Sequence, residues 1–186
     1  MLSLPLGEGF SINEVGKKRV LRSAILGKVF LMADVNLLFV CTGNTCRSPM
    51  AEGLFRKAAQ EKGYEVSSAG VAAYGGSPAS QETIGILAEK GVSLEDFGSR
   101  LVSEEILAEA SHVFCLTQGH QDVLKQHFPE FEKKFYLVTE FVEIGGQVGR
   151  DISDPIGCGR SAYEEVSQQL EVSITGILGF LGATKS

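Results

Sequence analysis

Nine residues from Cys41 to Pro49 combine a nucleophile, a glycine turn and an arginine at a fixed spacing. Their sequence is Cys-Thr-Gly-Asn-Thr-Cys-Arg-Ser-Pro, so five residues separate Cys41 from Arg47. An apolar run, Val35 to Val40, comes before them, and an amphipathic segment follows. When a strand is followed by a tight loop and then by the first turn of a helix, backbone N–H groups and the positive end of the helix dipole point at one place. That place favours an anion. Arg47 adds a planar set of donors that suits phosphate oxygens.

Cys41 lies at the mouth of this predicted anion site, where the surrounding positive potential favours its thiolate over its thiol. A thiolate beneath a phosphate-binding loop indicates phosphoryl transfer through a cysteinyl-phosphate. The segment from Cys41 to Ser48, here called the phosphate loop, differs from the Gly-x-x-x-x-Gly-Lys-Ser/Thr loop, which carries no nucleophile and is absent from this chain. The alternative is a buried cysteine pair in a glycine turn of the core. It does not explain a charged Arg47 at the centre of the segment, because arginine is rarely buried without a partner.

Chemical reasoning assigns a role to several side chains of the phosphate loop. Gly43 is expected to permit the backbone reversal, and Asn44 to tolerate left-handed geometry and brace the loop. The Ser48 hydroxyl is expected to donate to the Cys41 thiolate, to cap the following helix, or both. Cys46 is either a partner for a reversible disulfide with Cys41 or a small packing residue. The residues expected to surround a bound phosphate are Thr42, Gly43, Asn44, Thr45, Cys46 and Ser48.

A cysteinyl-phosphate mechanism also needs a proton donor for the leaving group and a base for the attacking water, and one carboxyl group can serve as both. Asp154 is the candidate, because Pro155 restricts its backbone to extended conformations. Asp151 is the second choice. An Asp-Pro pair is commonly a plain turn, and only the phosphate loop upstream favours the catalytic interpretation. The three histidines are interpreted as surface or core residues.

Composition excludes several other classes of protein. The 186 residues carry a net charge of −6, which offers no basic face for nucleic acid. The four cysteines are too few and too scattered for a disulfide framework, and they lack the paired spacing of metal ligands, so a reducing cytoplasm and no metal are expected. No apolar run reaches the length of a membrane span.

Strand-like and helix-like segments alternate along the chain and predict a four-stranded parallel sheet flanked by helices on both faces. Residues 1–31 are predicted to be an N-terminal extension, with a helix over residues 18–31, and residues 32–186 to be the domain. Ligands of such sheets bind beyond the carboxyl ends of the strands, where Cys41 lies. The predicted strands cover residues 35–40, 64–69, 112–116 and 135–138, and the predicted helices begin near Ser48, Ser77, Ser103, Thr117 and Ser161.

Three stretches resemble the low-molecular-weight protein tyrosine phosphatase family: residues 40–52 around the phosphate loop, Ser68-Ala69-Gly70, and Asp154-Pro155. The resemblance covers about residues 34–182. It implies a phosphatase domain over residues 32–186 that acts on phosphorylated proteins without a metal or other cofactor. It also implies that Cys41 is the nucleophile, Arg47 binds phosphate and Asp154 is the general acid.

The substrate expected from the resemblance depends mainly on Thr45. Members that act on phosphotyrosine usually carry a bulky aliphatic residue there and aromatic residues after the Asp-Pro pair, where this chain has Ile156 and Gly157. Thr45 resembles the bacterial protein arginine phosphatase branch, and a polar wall beside Asp154 suits a guanidinium phosphate. Phosphoarginine is therefore expected. Phosphotyrosine, with Tyr74 as a ring at the rim, is the alternative.

Two other functions fit the same residues less well. Arsenate reductases that share this type of loop need two further cysteines close together after the third strand, and only Cys115 lies there. A phospho-residue binder without catalysis would need no acid, so Asp154 argues against it. A cytoplasmic enzyme is expected, with a monomer as the simplest assembly.

Overall fold

The computed structural model describes residues 35–60 and 62–183 of the chain. Its main sheet consists of β1 (Val35–Cys41), β2 (Tyr64–Gly70), β3 (His112–Cys115) and β4 (Phe135–Leu137). The strands lie in the order β2-β1-β3-β4, and each neighbouring pair is parallel. The prediction of a four-stranded parallel sheet is confirmed, and each strand ends within one residue of its predicted boundary.

In the described residues, five helices cover both faces of the sheet. Because side chains alternate along a strand, β1 directs Leu37 and Phe39 to one face and Leu38 and Val40 to the other. The first face packs against the first, second and fifth helices, and the second face against the third and fourth. The helices are α1 (Arg47–Ala58), α2 (Gln81–Glu89), α3 (Glu104–Glu109), α4 (Gln118–His127) and α5 (Arg160–Ala183).

The predicted helix caps are partly right. Ser103 and Thr117 cap α3 and α4, each accepting a hydrogen bond from a backbone N–H three residues later. The prediction that Ser77 starts α2 is wrong, because Ser80 is the cap and its Oγ accepts from Thr83 N at 3.2 Å. The predicted cap at Ser161 is also wrong, since α5 already begins at Arg160.

Two short elements are absent from the sequence-based prediction. A 3-10 helix, Pro129–Lys134, joins α4 to β4. A hairpin of β5 (Glu143–Ile144) and β6 (Gln147–Val148) lies between β4 and α5. Gly145 and Gly146 form its turn with φ of 59° and 79°, values that favour glycine and suit tight hairpin turns.

The predicted extension over residues 1–31 and its helix lie outside the described residues. Within residues 35–60 and 62–183, no helix combines the length and apolar character needed to cross a bilayer.

Candidate active site

The phosphate loop connects the end of β1 to the start of α1, so Cys41 lies at the carboxyl end of a central strand. The Cys41 side chain is 2% exposed, and its Sγ accepts a hydrogen bond from Asn44 N at 3.3 Å. Ser48 Oγ lies 3.0 Å from the same sulfur. Both groups can donate to a thiolate, and charge-assisted hydrogen bonds of this kind stabilise an anionic sulfur.

Ser48 serves the sulfur rather than the end of the helix. The prediction that Ser48 caps α1 is wrong, because α1 already begins at Arg47 and Cys46 at the cap position makes no side-chain cap bond. Ser48 is fully buried, and its hydroxyl also lies 3.3 Å from the Ala69 carbonyl oxygen. One hydroxyl proton can therefore move between a structural acceptor and Cys41.

Asn44 braces the loop from behind, and it has the left-handed backbone predicted for it, with φ 54°. Its Nδ2 donates to Ser48 Oγ and to Ser68 Oγ, each at 2.9 Å, and its Oδ1 accepts from Arg100 N at 2.9 Å. Every polar atom of this buried amide thus has a partner. Gly43 has no positive φ, so the predicted reversal takes place at Asn44 instead.

Ser68 extends this network towards a buried carboxylate. It donates to Glu52 Oε2 at 2.6 Å, and Glu52 also pairs with Arg56 one turn further along α1. Glu52 is 5% exposed, so both partners offset the cost of burying its charge. No chemical role was predicted for Ser68, because its contact with Asn44 joins residues 24 positions apart.

The backbone on either side of the loop is also fixed. Ser80 N donates to the Thr45 carbonyl oxygen at 2.8 Å, and Thr83 Oγ1 donates to that of Cys46 at 3.3 Å. On the β2 side, a Cβ at Gly70 would lie 2.4 Å from the Thr42 carbonyl oxygen. Only glycine allows β2 to approach the loop this closely.

Arg47 links the phosphate loop to a second segment, residues 150–159, here called the acid loop. Its guanidinium is buried and donates from Nη1 to the Ile152 carbonyl oxygen at 3.2 Å and from Nη2 to Asp154 Oδ2 at 2.6 Å. The Asp154 side chain is 45% exposed, and its Oδ1 accepts from Ile156 N at 3.2 Å. The structure therefore brings Asp154 to the arginine of the phosphate loop.

Asp151 has a different position from Asp154. Its Oδ1 accepts from Gln118 N at 2.7 Å, at the start of α4. A carboxylate at a helix N-terminus is stabilised by the orphan N–H groups and the dipole there. This contact gives Asp151 a structural partner away from Arg47.

Thr45 and Cys46 form the side of the loop that faces α5. Thr45 is half-buried, and its Oγ1 lies 3.6 Å from Cys46 Sγ. Cys46 Sγ in turn lies 3.4 Å from the Tyr163 hydroxyl, and burial followed by this contact raises the pKa of Tyr163 to about 12. Cys41 and Cys46 are both free thiols in the structure, so their predicted reversible disulfide remains a prediction.

His120 is a further residue of the site, and the interpretation of it as a surface or core residue is incomplete. Its Nε2 lies 2.8 Å from Thr42 Oγ1 and its Nδ1 lies 2.9 Å from Thr117 Oγ1. Burial first, and then the nearby Arg47, lower its pKa to about 4. A signal existed in the sequence, because His120 follows β3 on the edge of the sheet where Cys41 lies.

Cys115 is a buried residue at the end of β3. Burial raises the pKa of its thiol far above the ordinary value, which keeps it protonated and unreactive. In the described part of the chain, no group of three or more His, Cys, Asp or Glu side chains is arranged to hold a metal ion.

Comparison with known proteins gives consistent matches over this domain. The family model described as low molecular weight phosphotyrosine protein phosphatase matches residues 36–186. A protein-arginine-phosphatase from Geobacillus stearothermophilus is 44% identical over 138 residues, which are 74% of this chain and 90% of that protein. A low molecular weight protein-tyrosine-phosphatase from Streptomyces coelicolor is 34% identical over 149 residues, 75% of this chain and 89% of the relative.

Among solved structures, a mutant YwlE arginine phosphatase with a phosphorylated active-site serine matches with a TM-score of 0.73. It is 33% identical to this chain, and the match covers 80% of this chain and 96% of that structure.

Proposed function

Since this chain belongs to the low molecular weight phosphotyrosine protein phosphatase family, we propose that it hydrolyses phosphoarginine on proteins through a cysteinyl-phosphate on Cys41. The observation that carries the proposal is the combination of three groups: a buried cysteine with two donors on its sulfur, Arg47 from the same loop, and Asp154 2.6 Å from that arginine. A binding module would need the first two groups but not the acid.

In the first proposed step the Cys41 thiolate attacks phosphorus, and the bond from phosphorus to the guanidino nitrogen breaks. Asp154 gives its proton to the departing nitrogen, so the arginine leaves directly as a protonated guanidinium and Asp154 is left as a carboxylate. Arg47 and the loop N–H groups stabilise the charge on the equatorial oxygens. Because Asp154 contacts the Arg47 guanidinium that the phosphate must bind, the substrate replaces this contact on entry.

In the second step water attacks phosphorus, Asp154 accepts a proton from it, and the phosphorus–sulfur bond breaks to release inorganic phosphate. The hydroxyl of Ser48, 3.0 Å from the sulfur, donates to the departing thiolate. A covalent intermediate is supported by the related YwlE structure, whose active-site serine carries a phosphoryl group.

Two observations favour phosphoarginine. The 44% identical relative is a protein-arginine-phosphatase. Thr45 also places a half-buried hydroxyl in the loop beside Cys46, and a hydroxyl suits a polar, cationic guanidinium better than an aliphatic side chain would. We further propose the cytoplasm as the place of action, because the four cysteines are all free thiols.

Phosphotyrosine hydrolysis is the second candidate, and Tyr74 favours it. Tyr74 is 87% exposed and lies two residues beyond Ala72, whose N–H donates to the Thr42 carbonyl oxygen. A ring at this rim can stack on a phenyl group. Ile156, 61% exposed and two residues beyond Asp154, supplies an aliphatic rather than an aromatic side chain on the acid loop.

The test is release of phosphate from a phosphoarginine protein and from a phosphotyrosine peptide under the same conditions. We expect kcat/KM to be about tenfold or more higher for phosphoarginine, and Thr45→Ile to shift the ratio about tenfold towards phosphotyrosine. Cys41→Ser should abolish both activities, while Cys158→Ser, which removes an exposed thiol, should leave both unchanged. Faster hydrolysis of phosphotyrosine by the wild type would establish the second candidate, and hydrolysis of neither would leave a binding module.

A further inference from the structure

His120 joins the phosphate loop to the helix that follows β3. It lies in the first turn of α4, and its side chain is 6% exposed. One ring nitrogen contacts the hydroxyl of Thr42, the first residue after Cys41, at 2.8 Å. The other contacts the hydroxyl of Thr117, the N-cap of α4, at 2.9 Å. The ring therefore bridges two threonines that are 75 positions apart in the chain.

The contact with Thr42 fits into a pattern of supports around the loop. Asn44 is held by Ser68, Thr45 by Ser80 and Cys46 by Thr83, so these three positions of the loop each have an anchor in another element. At Thr42, whose side chain is otherwise exposed, His120 provides the side-chain anchor.

A neutral imidazole suits this place for electrostatic reasons. Arg47 already supplies one buried cation to the site, and burial and Arg47 together outweigh the opposite effect of Asp151 and Asp154 on the pKa of the ring. A neutral ring has one donor nitrogen and one acceptor nitrogen, and each threonine hydroxyl can take the complementary role. The bridge therefore keeps its partners without adding charge to the phosphate site.

We propose that His120 is a positioning residue: through Thr42 it fixes the end of the phosphate loop next to Cys41, so that the loop N–H groups point at the phosphate. The role deepens the proposed phosphatase function and rests on it. Groups that are positioned before the reaction stabilise developing charge without reorganising. Loss of the anchor should therefore weaken phosphate binding as well as the rate.

Two substitutions separate the two halves of the bridge. The amide of glutamine reaches about as far as Nε2 of histidine, whereas that of asparagine reaches only about as far as Nδ1. His120→Gln should keep the contact with Thr42, and His120→Asn should keep the contact with Thr117 and lose Thr42. We expect kcat to fall about tenfold in His120→Asn and to stay within about twofold of the wild type in His120→Gln.

Anion binding is measured without any substrate, by the protection that inorganic phosphate gives Cys41 against alkylation by iodoacetate, read by peptide mass spectrometry. We expect His120→Asn to need about tenfold more phosphate for the same protection, and His120→Gln to match the wild type. His127→Asn, at the exposed end of the same helix, is the matched control and should change nothing. Failure of the phosphoarginine assay alone would overturn the proposed substrate, and the protection data would still decide the role of His120.

A double-mutant cycle with Thr42→Val completes the test. If His120 acts through Thr42, Thr42→Val alone should weaken phosphate protection about as much as His120→Asn, and the double variant should be no worse than either single variant. Thr42→Val also tests the contact by itself if His120→Asn fails to fold. Additive losses in the cycle, equal losses in the Gln and Asn variants, or wild-type protection in both would each overturn the proposal.

Discussion

The phosphate loop and the acid loop meet at Arg47, but they are built in opposite ways. Cys41, Asn44 and Ser48 are at most 2% exposed, and their polar atoms are hydrogen-bonded to groups from α1, β2 and the segment before α3. In the acid loop, Ile152 and Pro155 are buried, whereas Asp154 between them is exposed.

This difference matches the two tasks that the proposed chemistry sets. An oxyanion site works best when its donors are fixed before the substrate arrives. A proton carrier has to contact first a leaving group and then a water, so it benefits from a tether that leaves the side chain free. The buried Ile152 and Pro155 hold the backbone on either side of Asp154, and the contact of Asp154 Oδ2 with Arg47 directs the carboxylate towards the phosphate loop.

The largest loss of activity is expected from a substitution in the acid loop. Asp154→Asn keeps an oxygen that can accept from Arg47 but removes the transferable proton, so kcat on phosphoarginine or phosphotyrosine protein should fall about 10²- to 10³-fold. The first step on p-nitrophenyl phosphate should fall much less, because that leaving group needs no proton.

Asp151→Asn is the matched comparison, since an asparagine oxygen can still accept from Gln118 N. It should reduce kcat far less than Asp154→Asn does. A larger loss in Asp151→Asn would make Asp151 the general acid, as the second interpretation of the sequence allowed.

His120, on the rigid phosphate-loop side of the site, should make the stability of the protein depend on pH. Burial and Arg47 lower the pKa of His120 from the ordinary 6.5 to about 4, so the folded protein resists a proton that the unfolded chain accepts. Above about pH 6.5 His120 is neutral in both the folded and the unfolded state, so the difference in pKa does not change the free energy of unfolding. As the pH falls from about 6.5 to 4, the wild type should lose about 3 kcal/mol of unfolding free energy that a non-titrating side chain would not lose.

Urea unfolding of wild type and His120→Gln between pH 7 and 4 measures this difference. His127→Gln, which removes an exposed histidine from the same helix, should follow the wild type. If the unfolding free energies of wild type and His120→Gln change in parallel down to pH 4, the folded protein binds a proton at His120 without penalty. His120 would then be more accessible to water than its contacts indicate.

A smaller effect is expected from Asn44, the centre of the bracing network. Asn44→Ala leaves Ser48, Ser68 and the Arg100 N–H without this partner, so it should lower the unfolding free energy by about 2 kcal/mol and reduce kcat as well. Asn44→Gly loses the same bonds but tolerates φ 54°, so it should be about 1 kcal/mol more stable than Asn44→Ala. Equal stability of wild type and Asn44→Ala in chemical denaturation would contradict the bracing role.

The sequence predicted those parts of the site that depend on neighbouring residues. The order strand, loop and helix, the left-handed Asn44 and the caps at Ser103 and Thr117 all follow from local rules. Ser48 shows the limit of such rules: its type suits a helix cap, but the buried Cys41 sulfur and Asn44 amide are its partners. Local preference gives way where a buried polar group needs a partner.

Contacts between distant segments could not be predicted in this way. Asn44 and Ser68 are 24 positions apart, and Thr42 and His120 are 78 positions apart. Sheet order decides both pairs, because β2 and β3 flank β1 and bring the residues at their carboxyl ends to the phosphate loop. The alternation of elements predicts a parallel sheet but not which neighbours β1 has.

Trapping the intermediate tests most directly whether Cys41 accepts the phosphoryl group. In Asp154→Asn, p-nitrophenyl phosphate should still phosphorylate Cys41, while the missing base slows the attack of water. Rapid quenching followed by peptide mass spectrometry should then find the mass of one phosphoryl group on Cys41, with a burst of p-nitrophenol close to one per enzyme. Turnover without any phosphoryl group on Cys41, or a phosphoryl group on another residue, would contradict a covalent mechanism at this sulfur.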